Sequence, residues 1–471
     1  MNKKIIKRIL SVFALVLTLS IGFFTLTACN NSSNVPFDNT YKAPIYNTTG
    51  QNQKAIIILP GIMGSNLINA QTGKSLWTGG GFIENIFMNN NAFDKEGRLK
   101  WNVIEEFLSS FMLKNENGET PVPVRAATMN DKYLQYGLLD EYKPLYTFLE
   151  KNFGENTKYN YQVVTYQYNW TNSNLQSAKE LESFINANKY TDTILIGHSM
   201  GGLVIDYYLA GSQDNRDKVK GVITLGTPHL GAVDAAAFVL GGQFPMSGDI
   251  SGLLGMLDGL DIESKIPAEF DNILDFGMAL IDSLTAKART LPSMYELTGN
   301  SSLYTSGIYN NDNTKPYKIN GEFVTYDEFL NAMSETGWIK NNAWINSIVG
   351  GLKDSNSMLY IDGRFVTSTV NTYYFAGNGL DTSYQVKLLT LPDNAGFKLD
   401  GKSLTTKSGD GMVLVTSATA GMDLDNDHIV IIDGCDHLSL AHPTERDCKT
   451  SKVEITEVGT KMLEVIKAII G

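Results

Sequence analysis

Basic side chains are scarce in this chain of 471 residues, in which 38 lysines and arginines stand against 50 aspartates and glutamates. The formal net charge of −12 repels polyanions and argues against nucleic acid as a partner. Hydrophobic residues are not scarce, and at 43% of the sequence they exclude an intrinsically disordered chain. The length suits one α/β core that carries an inserted cap.

The N-terminal apolar run, residues 9–24, is shorter than the roughly 20 residues of a spanning helix, which disfavours a plain transmembrane anchor. Four basic residues precede it, and residues 26–29, Leu-Thr-Ala-Cys, follow it, as in an export signal. The ending resembles a bacterial lipobox, whose cysteine becomes the lipidated first residue. We expect a signal peptide over residues 1–28, lipidation of Cys29, a flexible tether over residues 29–53, and a protein exported and anchored to the outer face of the bacterial cell membrane.

Cysteine is rare, with three residues in the chain. If Cys29 carries the lipid, only Cys435 and Cys448 remain, and an exported protein allows these two to pair. Two free thiols are the equal alternative, since two cysteines in a sequence fix no geometry.

The strongest functional motif lies at residues 197–201, which read Gly-His-Ser-Met-Gly and fit the G-x-S-x-G nucleophile elbow. An elbow needs a strand, a sharp turn with the serine at its apex, and a helix, and its glycines leave room for the turn. The apolar run before residue 197 predicts the strand, and the apolar pattern after residue 202 predicts the helix. Ser199 is therefore the candidate nucleophile. The alternative is an ordinary tight turn whose serine caps the helix.

A second motif follows residues 54–59, an apolar run that predicts a buried parallel strand. Residues 60–65 read Pro-Gly-Ile-Met-Gly-Ser. Early in an α/β-hydrolase sheet, such a loop supplies one main-chain N–H of the oxyanion hole, and the residue after the nucleophile supplies the other. The amides of Met63 and Met200 are the candidates.

This loop resembles the strand-loop signature of lecithin:cholesterol acyltransferase (LCAT)-like proteins, an α/β-hydrolase family of acyltransferases and phospholipases that act on lipids. Residues 168–170, Tyr-Asn-Trp, resemble the family's Tyr-Asp-Trp-Arg element, although Asn169 and Thr171 replace its acid and arginine. Residues 289–295 resemble another short family element. The resemblance implies a membrane-contacting excursion within residues 73–130; core packing of its aromatic side chains is the alternative.

A serine nucleophile in this fold requires an acid and then a histidine later in the chain. Residues 409–413, Gly-Asp-Gly-Met-Val, look like the family's Gly-Asp-Gly-Thr-Val element. Asp410 would then lie in a turn bracketed by glycines, where a carboxylate can orient the histidine and stabilise its charged form. Asp381 is the competing acid, because it also follows a late core strand.

The base is expected in the last loop of the core. Residues 434–438, Gly-Cys-Asp-His-Leu, resemble the family's Gly-x-x-His-Leu pattern, which favours His437. His428 and His442 are the alternatives, and neither matches a pattern. His229 follows Ser199 too closely to be the base, and we interpret it as a residue that packs its loop.

Asp423, Asp425 and Asp427 form an acidic cluster without the glycine and distal glutamate of an EF-hand loop. We interpret the cluster as a solvated turn, with an irregular calcium site as the alternative. We expect no cofactor and no resident metal, and the oligomeric state stays open.

These observations predict an α/β-hydrolase fold, with a mostly parallel central sheet and helices on both faces. The core is expected over residues 54–232 and 369–471, with a cap or lid inserted at residues 233–368, where the strand–helix alternation is lost. The expected function is that of a serine esterase or lipase acting on lipid acyl esters through a Ser199–Asp410–His437 triad, with hydrolysis and O-acyl transfer both open. The alternatives are an esterase of soluble or polymeric esters and a catalytically inactive, lipid-binding surface lipoprotein.

Overall fold

The computed structural model describes residues 42–47, 53–78, 92–131, 136–137, 140–242, 266–309, 314–446 and 453–471. The predicted signal peptide, Cys29, Cys448 and nearly all of the predicted tether lie outside the described residues. Export and lipidation therefore stay predictions.

The described strands and helices are numbered separately in chain order. The strands are β1 (Lys54–Leu59), β2 (Leu67–Asn69), β3 (Ser75–Trp77), β4 (Val124–Ala126), β5 (Gln162–Thr165), β6 (Asp192–His198), β7 (Val219–Leu225), β8 (Tyr317–Ile319), β9 (Glu322–Phe323), β10 (Tyr360–Ile361), β11 (Arg364–Phe365), β12 (Thr372–Asn378), β13 (Thr382–Thr390), β14 (Phe397–Leu399), β15 (Leu404–Thr406), β16 (Ile429–Asp433), β17 (Thr444–Arg446) and β18 (Val453–Ile455). The helices are α1 (Trp101–Met112), α2 (Lys143–Phe153), α3 (Asn174–Ala187), α4 (Met200–Gly211), α5 (Gln213–Asp217), α6 (Val233–Gly241), α7 (Ile273–Ala288), α8 (Pro292–Glu296), α9 (Tyr326–Ser334), α10 (Gly337–Lys340), α11 (Ala343–Met358), α12 (Val415–Ala418) and α13 (Glu457–Ile470).

A parallel sheet of six strands, in the order β16-β12-β7-β6-β1-β5, lies at the centre of the protein. Strand β1 illustrates why these segments form it. Its residues from Ala55 to Leu59 are fully buried, and a strand covered on both faces requires an unbroken apolar run. The predicted α/β-hydrolase class is confirmed.

Helices cover both faces of this sheet. Ile56 and Ile58 of β1 share a hydrophobic cluster with α2 and α13, whereas Ala55, Ile57 and Leu59 share one with α3 and α4. The alternation follows from strand geometry, because successive side chains point to opposite faces.

The strand order reverses beside β1, because the chain places β5 on one side of β1 and then β6 on the other. In open α/β sheets, ligands bind outside the carboxyl ends of the strands at such a reversal. The register aligns these ends, with Leu59 beside Gly197 and His198 beside Leu225. The loop after β1 and the elbow after β6 therefore leave the sheet next to each other.

A second sheet has the order β14-β13-β8-β9, with β15 paired to β13. Strands β8 and β9 come from the predicted cap, and β13 to β15 come from the chain after β12. The parallel pairing of Val386 with Tyr317 joins the two parts, so this sheet spans the predicted boundary at residue 368. In the part of the chain that the structure describes, no helix has the length and apolar character needed to cross a membrane.

The aromatic side chains described between residues 73 and 130 pack against the core, and all of them except Phe111 are half-buried. Phe111 is fully buried, and the ring of Trp77 lies against those of Phe111 and Trp170. Trp101 packs edge-on against Phe276. Core packing therefore accounts for Phe111 and for the buried parts of the other side chains. Phe82, Ile86 and Phe87 lie outside the described residues, and membrane contact by this region stays a prediction.

Candidate active site

Ser199 occupies the turn between β6 and α4 with φ 51° and ψ −126°, a conformation that costs about 1–3 kcal/mol for a residue with a side chain. The neighbouring glycines make the turn feasible. A Cβ on Gly197 would lie 2.6 Å from the Cα of Gly202, and one on Gly201 would lie 2.4 Å from the carbonyl oxygen of Leu59. The glycines at positions 197 and 201 therefore allow the backbone segments on both sides of Ser199 to approach more closely than a side chain would permit.

The serine does not serve as a helix cap. Ser199 precedes the first residue of α4, yet its side chain makes no capping hydrogen bond. A capping serine adopts an extended conformation and accepts a bond from an amide two or three residues later. The alternative of an ordinary capped turn is therefore wrong, and the strained conformation leaves the hydroxyl group available.

His437 and Asp410 form a buried pair, with 2.8 Å between His437 Nδ1 and Asp410 Oδ2. The other carboxylate oxygen, Oδ1, accepts the amides of Met412 at 2.9 Å and Val413 at 2.7 Å. Burial by itself would raise the pKa of Asp410, but His437 and these two amides together hold that pKa below its ordinary value. Asp410 is thus a charged, fully bonded partner for the ring.

The pair lies beside the elbow. The amide of Ser199 donates to the carbonyl oxygen of Leu225 at the end of β7, and a Cβ on the next residue, Gly226, would lie 3.0 Å from Asp410 Oδ2 and 3.1 Å from His437 Nδ1. His198, which precedes the serine, bonds the carbonyl oxygen of His437 through Nε2 at 2.9 Å. Strand ends far apart in sequence therefore bring the predicted nucleophile, base and acid together.

The loop after β1 lies over the serine. A Cβ on Gly61 would lie 3.0 Å from the Cβ of Ser199. Met63 has a positive φ of 60°, and its carbonyl oxygen accepts the indole Nε1–H of Trp77 at 2.8 Å. Within the described parts of the chain, the amides of Met63 and Met200 have no hydrogen-bond acceptor, and Met200 begins α4, where helix N–H groups are free. This arrangement suits an oxyanion.

The sequence model of the lecithin:cholesterol acyltransferase family matches residues 110–250, a stretch that contains the elbow and the loop after β7. Over this stretch the chain is similar to the LCAT family, and its fold is that of an α/β-hydrolase. This partial similarity is consistent with an ester hydrolase or an acyltransferase.

One chain of the crystal structure of the Tle4–Tli4 complex is similar to this protein with a TM-score of 0.50 and 12% sequence identity. The similarity covers 88% of this chain and 98% of that chain. At this identity it supports the fold alone. Among curated proteins, a sequence search found no match.

The two segments that resemble LCAT-family elements, residues 168–170 and 289–295, contact each other. Asn169, which stands where the family's motif has an acid, accepts hydrogen bonds from both the amide and the hydroxyl group of Thr171 through Oδ1, so the two residues form a local turn. The hydroxyl group of Ser293, in the second element, donates to the carbonyl oxygen of Trp170 at 2.9 Å.

The alternative candidates for the acid and the base make their contacts away from Ser199. Asp381 pairs with Lys407 at 2.8 Å on the surface, where both side chains are 66% exposed. His428 Nδ1 bonds the carbonyl oxygen of Thr372, and His442 Nε2 pairs with Glu141. His229 is buried against Asp206 at 2.7 Å, as suits a residue that packs its loop. Among all the candidate acids and histidines from the sequence, Asp410 and His437 are the two that lie beside the elbow.

Two residues of the site were missed by sequence reasoning. Tyr142, before α2, bonds both the Gly61 amide and His198 Nδ1 at 2.8 Å. His198 lies inside the elbow motif, where its position could have drawn attention. Tyr142 is distant in sequence and carries no local signal.

The acidic cluster of Asp423, Asp425 and Asp427 lies in an exposed turn, as interpreted. Within the described residues, no group of three or more potential ligands is placed to hold a metal ion. Within the described residues Cys435 has no disulfide partner. Burial raises the pKa of its thiol to about 12. Its predicted partner, Cys448, lies outside the described residues, so pairing stays a prediction.

Proposed function

We propose that this protein is a serine lipase or phospholipase that cleaves lipid acyl esters through Ser199, His437 and Asp410. The observation that carries the proposal is the strained, uncapped Ser199 beside the buried His437–Asp410 pair. The similarity of residues 110–250 to the LCAT family supports lipid esters as the substrate class.

In the proposed acylation step, His437 Nε2 removes the proton from Ser199 Oγ as that oxygen attacks the ester carbonyl carbon. The resulting oxyanion accepts hydrogen bonds from the amides of Met63 and Met200. The tetrahedral intermediate collapses, His437 returns the proton to the leaving alcohol oxygen, and the acyl group stays on Ser199. Water then hydrolyses the acyl-enzyme, or an acceptor alcohol takes the acyl group, with His437 acting as base again.

Asp410 stabilises the charged ring that forms in both steps. Its Oδ2 fixes Nδ1 as the protonated nitrogen, which leaves Nε2 free to act as base. The two amides on Oδ1 hold the carboxylate in place and favour its charged form.

We also propose that Cys29 carries the lipid that holds the enzyme at the outer face of the membrane, near its substrate. The charged, apolar and small-residue zones of residues 1–29 support this location.

A fluorophosphonate probe, which reacts only with activated serines, tests the proposal. The wild type should be labelled, and Ser199→Ala should not be labelled and should lose turnover by about 10⁶-fold without loss of fold. Circular dichroism of both proteins checks the fold. Ester hydrolysis by Ser199→Ala at the wild-type rate would disprove the mechanism.

Substrate profiling separates the remaining alternatives. Phospholipid, triglyceride and short p-nitrophenyl esters should be compared, with and without a sterol acceptor. Preference for long-chain lipids supports the proposal, and exclusive turnover of short soluble esters would favour a soluble-ester esterase. An unlabelled, inactive wild type would indicate a lipid-binding lipoprotein.

A further inference from the structure

A chain of hydrogen bonds passes beneath the candidate site. The amide of Gly61 donates to the hydroxyl oxygen of Tyr142 at 2.8 Å, and this hydroxyl group lies 2.8 Å from His198 Nδ1. On the far side of the ring, His198 Nε2 lies 2.9 Å from the carbonyl oxygen of His437. Tyr142 and His198 are 2% and 3% exposed, so water does not compete for these bonds.

The partners fix the direction of each proton. A carbonyl oxygen only accepts, so His198 Nε2 must carry a proton toward His437. Burial, followed by the nearby His437 ring, lowers the pKa of His198 to about 3. The ring is therefore neutral near pH 7, and Nδ1 must accept a proton from the hydroxyl group of Tyr142. Burial raises the pKa of Tyr142 above its usual range, so the phenol keeps this proton.

One end of the chain holds the loop that carries the candidate oxyanion donor. Gly61 lies two residues before Met63, and a Cβ on Gly61 would lie 3.1 Å from His198 Nδ1. The carbonyl oxygen of Gly61 also accepts the amide of Gly64, which closes the turn around Met63. An error in the placement of Gly61 would therefore move the Met63 amide.

The other end holds the main chain of the candidate base. The carbonyl oxygen of His437 is bound by His198, and its amide donates to the carbonyl oxygen of Asp410 at 3.1 Å. The side chain of His437 is fixed separately by Asp410. His198 thus holds the one main-chain group of His437 that Asp410 does not hold.

We propose that Tyr142 and His198 are positioning residues that hold the oxyanion loop and the base loop at a fixed distance on either side of Ser199. This inference rests on the proposed function. In this proposal neither residue acts on the substrate directly. Their contribution is geometric, because a displacement of about 1 Å between reacting groups can lower a rate by about 10²-fold.

Tyr142→Phe is the first test. It keeps the aromatic ring but removes the hydroxyl group that joins Gly61 of the oxyanion loop to His198. We expect kcat for a short p-nitrophenyl ester to fall about 10- to 100-fold, with KM changed less than about twofold. Tyr317→Phe is the matched control, because this fully buried tyrosine also loses one hydrogen bond, to the carbonyl oxygen of Thr298 at 2.9 Å. The control should keep the wild-type kcat. Equal kcat values in Tyr142→Phe and Tyr317→Phe would overturn the inference.

A second pair of variants tests the link to His437 and does not depend on how well Tyr142→Phe folds. His198→Gln keeps an N–H donor that can reach the His437 carbonyl oxygen, whereas His198→Leu has a similar volume and no donor. We expect His198→Gln to keep at least about tenfold more kcat than His198→Leu, at matched melting temperature. If the two variants have the same kcat, the hydrogen bond to His437 has no positioning role.

The wild type separates failure of this inference from failure of the proposed function. If the fluorophosphonate probe does not label wild-type Ser199, the proposed function fails, and the inference fails with it. If the wild type is labelled and turns over esters while Tyr142→Phe does so equally well, only the positioning role is wrong.

Discussion

At the scale of single residues, both oxygens of the Asp410 carboxylate are occupied, one by His437 and the other by two amides. A carboxylate in this setting has little freedom to rotate and keeps its charge, consistent with its lowered pKa. It can therefore select the tautomer of the ring and stabilise the charged ring in the transition state.

Asp410→Asn should lower kcat by about 10³- to 10⁴-fold with little change in the fold, because a neutral amide no longer selects the productive tautomer. The measurement is kcat on a p-nitrophenyl ester, with melting temperature as the check on folding. Asp381→Asn is the control and should retain full activity, since its pair with Lys407 lies on the surface. Greater loss in Asp381→Asn than in Asp410→Asn would reassign the acid.

At the scale of secondary-structure elements, the elbow depends on how closely α4 approaches β1. A Cβ on Gly201 would lie 2.4 Å from the carbonyl oxygen of Leu59 and 2.5 Å from that of Pro60. Both contacts are with backbone, which cannot rotate away as a side chain would. Replacement of this glycine must therefore shift α4 or β1, and Ser199 with them.

Gly201→Ala should lower the melting temperature and activity together, because overpacking a rigid contact costs about 1–3 kcal/mol. Gly350→Ala is the matched control, since Gly350 lies inside helix α11 and a Cβ there meets nothing within 4 Å. The control should gain about 0.5–1 kcal/mol of stability from helix propensity. Differential scanning calorimetry compares the two, and a melting temperature for Gly201→Ala as high as that of the control would contradict this account.

The loop after β16 is joined to the start of α2 by an ion pair, with 2.7 Å between His442 Nε2 and Glu141 Oε1. The hydrogen bond with Glu141 is the main cause that raises the pKa of His442 above its ordinary value of 6.5. A group whose pKa is higher in the folded than in the unfolded protein contributes its full stabilisation at pH values below the unfolded pKa. This stabilisation is lost as the pH rises through the folded pKa. Because the side chains are 34% and 24% exposed, solvent screening keeps the effect below about 1 kcal/mol.

His442→Gln should therefore be less stable than the wild type at pH 5.5, and the difference should disappear near pH 9. Urea unfolding at both pH values measures the free energy of unfolding. Glu141→Gln removes the other partner and should show the same dependence. A stability difference for His442→Gln that is equal at both pH values would rule out the ion pair as its cause.

At the scale of the whole molecule, segments with a local signal could be predicted and contacts between distant segments could not. The central strands were predictable because strands buried on both faces read as apolar runs, as at residues 55–59. The pairing of β8 with β13 had no such signal, since Val386 and Tyr317 are brought together only by the fold. Tyr142 was missed for the same reason, because its function depends on His198 and Gly61, which lie on other elements.

The net charge of the protein determines its electrostatic interaction with the membrane surface. Cleavage before Cys29 would remove four basic residues and no acidic ones, so the mature charge would be −12 − 4 = −16. A protein with this charge is repelled by anionic lipid head groups, and the repulsion acts over a Debye length of about 10 Å at 0.1 M salt. The proposed lipid on Cys29 would overcome this repulsion, because it holds the enzyme at the surface.

Cys29→Ser should therefore lose labelling by a fatty-acid probe and leave the membrane fraction, while it keeps the wild-type kcat on a soluble p-nitrophenyl ester. On phospholipid vesicles, we expect this variant to be slower when anionic lipid is present than when the vesicles are neutral. The difference should shrink as salt is raised to about 1 M, where the Debye length falls to about 3 Å. Unchanged fatty-acid labelling in Cys29→Ser would refute the anchor, and turnover independent of vesicle charge would show that net charge does not govern access to the substrate.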